Sequence, residues 1–469
     1  MKLRTLIFAI SWSACHGPLA AQTALRLEDV LESVRRSYPP LLAALIERDI
    51  ADAEVLSSLG KFDLTLRARV DTDQFGFYPN ERIFGGFEQY SQWGGASYYG
   101  GWRVGDGRFA PYDGKLDTRS YGEWSGGVKL PLWRDRAIDP RRAELRKAEI
   151  GRRLARLSID QQELLITQLA TQRYWNWVTA GLRRQVQQAL LDAANARDSF
   201  LRESARLGQI AAIEVTENAR AIVQRKSQVV EAERLLQQTS IELSLFYRDG
   251  GGQPVIPVKE QLPGGFNTVD SLTDARVQQD LQTAVARRPE LQRLEATADQ
   301  LRIDSRLARN DQRPEIDFQL GFTAESGNAG TVRRGPQEMK AAIVFELPFQ
   351  RRVATGKFRA AEAKLKQVDQ RERFTRDQIE AEVRDAASAV RNAHERVLLL
   401  RDEVRLARDL EEAERARFQL GDGTLFLVNL REQAMADAAQ REISATSDYF
   451  RATAQYEFSV AQVLTGPRP

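Results

Sequence analysis

Few residues in this chain have the chemistry to do more than carry charge. The two histidines are His16, near the N-terminus, and His394, on a charged helical stretch. Neither has the partners that a metal centre or a Ser-His-Asp arrangement would need, so His394 reads as a solvated helix residue. No phosphate-cradling glycine loop of the P-loop kind is present, so the sequence offers no nucleotide-hydrolysing site of that type. What remains is a pair of carboxylates, Glu214 and Glu217, three apart on one helix face. Repeated by symmetry they would form a negative constriction; taken singly they are two solvated glutamates in an acid-rich helix. The expectation is a protein that is not an enzyme and uses no cofactor.

Composition narrows the partners. Lys+Arg of 68 against Asp+Glu of 65 leaves a net charge of +3. The two signs are interspersed, which excludes the concentrated basic face of a nucleic-acid binder. The abundance of Ala, Leu, Arg, Glu and Gln suits long helices laced with ion pairs. Residues 1–21 read as a signal peptide: Lys2 and Arg4, then Leu6 to Ile10 as the apolar core, then Leu19-Ala20-Ala21 before the cleavage point. The single cysteine, Cys15, falls in this segment. It is either lost on processing or a lipid-attachment site after Ser13-Ala14, with Trp12 where such signals usually place Leu. No later run approaches the eighteen or so apolar residues of a spanning helix. An exported chain of this kind is either soluble or crosses a membrane as a β-barrel.

Four stretches alternate apolar and polar residues with the period of a strand, at about 62–70, 122–132, 315–323 and 338–349. The second and fourth end in Leu130-Pro131-Leu132 and Leu347-Pro348-Phe349, which read as strand-to-helix junctions. Between the first two lies a Gly- and aromatic-rich tract, residues 71–120, without helical period. It is either an elaborated loop or carries short strands of its own. Each second strand is followed by a proline-free run of some sixty residues, enough for a helix of roughly 100 Å. Each run ends at a glycine, Gly208 in the first case and Gly421 and Gly423 in the second, where the chain turns and a helix returns.

The plan of helix, strand, strand, long helix, tip and returning helix therefore occurs twice. Residues 22–248 form the first repeat and 271–469 the second, joined by a Gly/Pro linker over 249–270. The fold class expected is mainly α with a small β part. Four strands cannot close a barrel alone, so the chain should oligomerise; three copies would supply twelve strands and a long helical tube.

The duplicated plan, the Leu-Pro-Leu and Leu-Pro-Phe exits and the glycine-centred tips resemble the TolC-type outer membrane factor family. The resemblance covers nearly the whole mature chain. It implies a homotrimeric duct, with a twelve-stranded barrel in outer membrane lipid continuous with a helical tunnel through the periplasm. It implies as partners a periplasmic adaptor, or membrane fusion protein, and an inner-membrane pump, with small molecules or proteins as cargo. It places adaptor contacts at the tips around Gly208, Gly421 and Gly423. Best-known members narrow the inner mouth with acidic residues after the second tip, whereas here that stretch reads Leu427-Val428-Asn429-Leu430. Glu214 and Glu217 are the remaining candidates for the periplasmic gate. The rival reading is a periplasmic coiled-coil adaptor or scaffold without a barrel.

Overall fold

The computed structural model describes residues 24–462 except 113, 330, 331, 333 and 334. The signal-peptide reading, Cys15 and His16 lie outside the described residues. The first repeat opens with α1 (Leu27–Ser37) and α2 (Pro39–Leu59), followed by strands β1 (Thr65–Asp73), β2 (Asn80–Tyr90), β3 (Ser97–Gly107) and β4 (Glu123–Pro131). Helices α3 (Pro140–Arg206) and α4 (Ala212–Ser244) complete it. The second repeat runs α5 (Asp274–Arg287), α6 (Pro289–Asn310), β5 (Glu315–Glu325), β6 (Gln337–Glu346), α7 (Arg352–Gln419) and α8 (Leu425–Ser459). Pro39 and Pro289 each stand in the first turn of the helix that follows, where no backbone donor is missed.

The expected count of four strands is corrected to six. All four expected strands are present, and the Gly/aromatic tract contributes β2 and β3 between the first two. The sheet is an antiparallel meander in the order β1-β2-β3-β4-β5-β6, so each strand pairs with its sequence neighbour. Alternation does not announce β2 and β3 because glycine pairs interrupt it, and glycine is a poor strand former. Aromatic rings fill the gaps those glycines leave. A Cβ on Gly100 would sit 2.7 Å from the ring of Phe87, its cross-strand partner, and one on Gly127 would sit 2.5 Å from the Tyr99 hydroxyl. These glycines are thus positions where a ring lies flat over backbone.

Two helices of 67 and 68 residues form the long axis of the molecule, α3 and α7. Toward the sheet, the helices lie side by side in the order α2, α3, α6, α7; toward the tips the order is α4, α3, α8, α7. Four helices therefore stand abreast at both levels. Polar pairs stitch the first row: Arg152 to Asp52 at 3.6 Å, Lys147 to Asp304 at 2.9 Å, and Ser305 to Glu362 at 2.7 Å. Arg184 to Glu233 at 2.7 Å and Arg396 to Asp448 at 3.3 Å do the same in the second. These are partly exposed pairs and contribute modestly; their number suits a row of helices with little interior.

The apolar core is concentrated midway along the rods. One cluster joins α1 to α3 and α4 through Val30, Leu31, Val34, Trp177, Val178 and Leu243, and a second joins α5 to α7 and α8. The linker lies across this level. Phe266 meets both Trp175 and Phe450, whose rings stack at 4.2 Å, and Leu262 covers Gly181 so closely that a Cβ there would fall 2.3 Å from it. Gly181 is consequently a seat for the linker, not a helix break. Gly181→Leu is expected to lift Leu262 away and lower stability by about 1–3 kcal/mol. Thermal denaturation and proteolysis of residues 249–270 would show it as a lower melting temperature and faster cutting.

Candidate functional site

The polar end of each long helix is built from the same closure. The Gly208 amide donates to the Ala205 carbonyl at 3.0 Å and that of Gln209 to Ser204 at 2.9 Å; the Gly421 amide donates to Phe418 at 3.1 Å and that of Asp422 to Arg417 at 2.9 Å. This paired bonding of the last helical carbonyls needs a left-handed residue, and Gly208 and Gly421 supply it at φ +73° and +80°. Gly423, unlike Gly421, does not have a positive φ. It is required for close approach, because a Cβ there would lie 2.9 Å from the Phe418 amide nitrogen and 3.1 Å from Glu414 Oε1. Nothing lies within 4 Å of a Cβ placed on Gly208 or Gly421. Both tips stand open, and large apolar side chains flank them: Leu207, Ile213, Leu420 and Phe426 are all more than half exposed.

The structure does not leave Glu214 and Glu217 as a bare acidic pair. Glu217 accepts from Arg220 at 2.8 and 3.2 Å, and that hydrogen bond holds its carboxyl below the usual glutamate range. Glu214 is half-buried in the first turn of α4. His394 is also not a solvated residue; it is half-buried with its ring 6.1 Å from that of Tyr449. Pro131 is the last residue of β4, and Pro348 lies between β6 and α7, as the strand-to-helix reading expected. The turns after them each contain a left-handed non-glycine residue, Asp135 at φ +66° and Arg351 at φ +47°.

A buried polar cluster roughly three helical turns behind the tips escaped the sequence reading. Glu432 of α8 is 1 % exposed. It accepts from Arg197 of α3 at 2.7 and 3.1 Å, from Arg225 of α4 at 2.9 Å, and from Arg415 of α7 at 3.4 Å. Asn429, in the stretch where the acidic ring is missing, accepts from Arg197 at 3.0 Å and Arg225 at 3.4 Å. Arg225 also donates to the Leu190 carbonyl at 2.8 Å. One carboxylate thus ties all four helices of the lower row together. Burial alone would raise the Glu432 pKa, but hydrogen bonds and charge from Arg197 and Arg225 outweigh it and the net shift is downward. The available signal was positional: Leu425, Val428, Glu432 and Ala436 form the buried stripe of α8, and Arg225 follows Asn218 and Ala221 on that of α4. A charge on a core stripe has a partner or pays heavily.

The sheet at the other end is two-faced. The paired register places Leu66, Val70, Ile83, Phe87, Tyr98, Trp124, Val128, Leu320, Phe322, Met339 and Ile343 on one side. Arg67, Arg69, Glu88, Arg103, Glu123, Lys129, Gln319, Glu338 and Lys340 fall on the other. The apolar side is open: Leu66 is 76 % exposed, Met339 77 % and Ile343 70 %. Trp102 and Trp124 pair across β3 and β4 near its outer end, while Trp133 and Phe349 lie toward the helices. Strands of 9 to 11 residues, tilted as in a barrel, reach across about 25 Å of hydrocarbon. Among the described residues no helix is long and apolar enough to cross a membrane.

Residues 281–459 match the family described as Outer membrane efflux protein. The matched segment is most of the second repeat. No curated protein matches the chain in sequence. Structures of outer membrane channels share its fold over nearly its whole length. The open-state MtrE outer membrane channel of Neisseria gonorrhoeae is 15 % identical, with a TM-score of 0.63 over 93 % of this chain and 89 % of that one. The outer membrane protein VceC of Vibrio cholerae is 13 % identical, with a TM-score of 0.64 over 93 % and 96 %. The CmeC outer membrane channel of Campylobacter jejuni is 14 % identical, with a TM-score of 0.63 over 98 % and 94 %. The resemblance to TolC-type outer membrane factors stands in sequence over the second repeat and in fold over both.

Breaking the Glu432 cluster tests its weight. Glu432→Gln leaves two buried guanidinium groups without their counter-charge, at an expected cost of about 3–5 kcal/mol. Amide exchange across Leu425–Ala436 should quicken. Because the folded-state pKa of Glu432 is depressed, its contribution is present above the ordinary carboxylate range and fades as pH falls through the lowered value. In the parent protein exchange should therefore rise only in strongly acidic buffer, and E432Q should show no such acid limb.

Proposed function

We propose that this protein is the outer membrane channel of a tripartite efflux or type I secretion system. Three copies form a passive duct through the outer membrane and periplasm, carrying small molecules or proteins delivered by an inner-membrane pump through a periplasmic adaptor. The observation that carries this reading is the two-faced sheet set on a row four helices wide, of which α3 and α7 each run roughly 100 Å. An apolar side open to its surroundings and a charged side opposite is the pattern of a barrel wall in lipid around a wet lumen. A coiled-coil scaffold in the periplasm has no use for such a face, which in water would be an aggregation surface.

The tips fit the far end of such a duct. Leu207, Ile213, Leu420 and Phe426 form exposed apolar ground beside Gly208, Gly421 and Gly423, suited to a protein partner at the periplasmic end. Behind them Glu432 holds α8 to its neighbours, and Glu214 and Glu217 line the first turns of α4, where a threefold ring would narrow the passage.

Purified protein incorporated into planar bilayers should give discrete, long-lived conductance steps. Multivalent cations added on the tip side should block it, and combined E214Q and E217Q should weaken that block. Absence of any conductance would oppose the duct. Conductance with unchanged block would keep the duct and remove these glutamates from its mouth.

A further inference from the structure

We infer that three copies close into an eighteen-stranded barrel whose wall includes β2 and β3, not the twelve strands that two hairpins per chain would give. The inference rests on the trimeric duct proposed above and adds what this chain's own sheet contributes to it.

The pairing decides the matter, because β1 pairs with β2 and β4 with β3 and β5, so β1 and β4 are joined only through the added strands. Six strands at about 4.8 Å spacing, tilted about 40° from the barrel axis, span an arc of roughly 38 Å. Four helices packed about 9–10 Å apart span roughly 36–40 Å. Each protomer's sheet is thus as wide as the row of helices beneath it. Nothing in the register puts β2 and β3 above or outside the others. Residues 80–88 pair with 65–73 along all of β1, and 97–103 pair with 123–129 of β4. In the added strands Ile83, Phe87, Tyr98 and Trp102 continue the apolar side and Arg82, Glu88 and Arg103 the polar one, with Glu81 and Asp106 at one end of the apolar side and Phe84 and Tyr99 lying over glycines on the polar one.

The occupant of the free edges is a second copy. β1 and β6 each pair on one side only, and they are not paired with each other. In hydrocarbon those open backbone groups require a partner. An even number of antiparallel strands leaves β1 and β6 running oppositely, so β1 of one copy and β6 of the next continue the same antiparallel ladder. Both edges carry the apolar side to their limits, with Leu66 and Val70 on β1 and Met339 and Ile343 on β6 all more than 60 % exposed.

Single nitroxide labels on the full chain reconstituted in lipid vesicles separate the possibilities. Labels replacing Leu66, Val70 and Ile343 report whether β1 and β6 face lipid, and labels replacing Ile83, Phe87, Arg82 and Glu88 report on β2. With dissolved oxygen and a water-soluble nickel chelate as relaxants, positions 83 and 87 should be oxygen-accessible. Positions 82 and 88 should be nickel-accessible, giving a two-residue alternation in phase with β1. If 66, 70 and 343 face lipid while 82, 83, 87 and 88 are all open to nickel, the hairpin projects from a narrower barrel and the eighteen-strand wall is overturned. If positions 66, 70 and 343 are themselves aqueous, the membrane reading has failed first and this inference goes with it.

Discussion

A sheet that is apolar on one side and open at both edges cannot be a finished structure. Its outer backbone groups need partners, and among the described residues none is supplied, because β1 and β6 do not meet. In water the same edges and the same apolar face would recruit other molecules indiscriminately. In a bilayer the face is solvated by lipid and only the edges remain to be satisfied, which closure with identical copies achieves. Much else in the molecule follows from that requirement. The helices form a row instead of a bundle, and a row is what a closed wall would continue into. The interior of the single chain is correspondingly thin, with the apolar clusters gathered where the linker crosses.

Along that row the balance of forces changes. At mid-height, stability comes from burial of large side chains, including Trp177, Val178 and Leu243, and from the stack of Trp175 on Phe450. Toward the tips apolar burial continues at Leu201, Leu425 and Val428, and one desolvated carboxylate among arginines is added to it. Such an arrangement is costly unless every partner is present, so it favours one helix arrangement over others more than it adds stability. Its place behind the two glycine turns sets it where a duct would have to part its helices to open. Glu432 belongs to α8, and the guanidinium groups around it come from α3, α4 and α7, so no helix of the lower row can shift without disturbing it.

The helical architecture was legible in the sequence because its signals are local. Absence of proline and glycine at 208 and 421 placed α3, α4, α7 and α8. The four alternating strands were legible for the same reason. β2 and β3 were not, since their glycines lose the alternation that their aromatic neighbours restore only once the strands are paired. Glu432 was hidden by a different limit. A glutamate in an acid-rich helix reads as solvated until its three neighbours are known, and Arg197, Arg225 and Arg415 come from far along the chain. Asn429 was noted for the acid it lacks, whereas its role in the fold is as an acceptor.

The account stands or falls on self-closure in a membrane. The most direct measurement is the mass of the protein extracted from membranes in mild detergent, with bound detergent subtracted, before and after boiling. The account predicts a particle of three chains that needs detergent and collapses to single chains on heating. A monomer that stays soluble without detergent would contradict it.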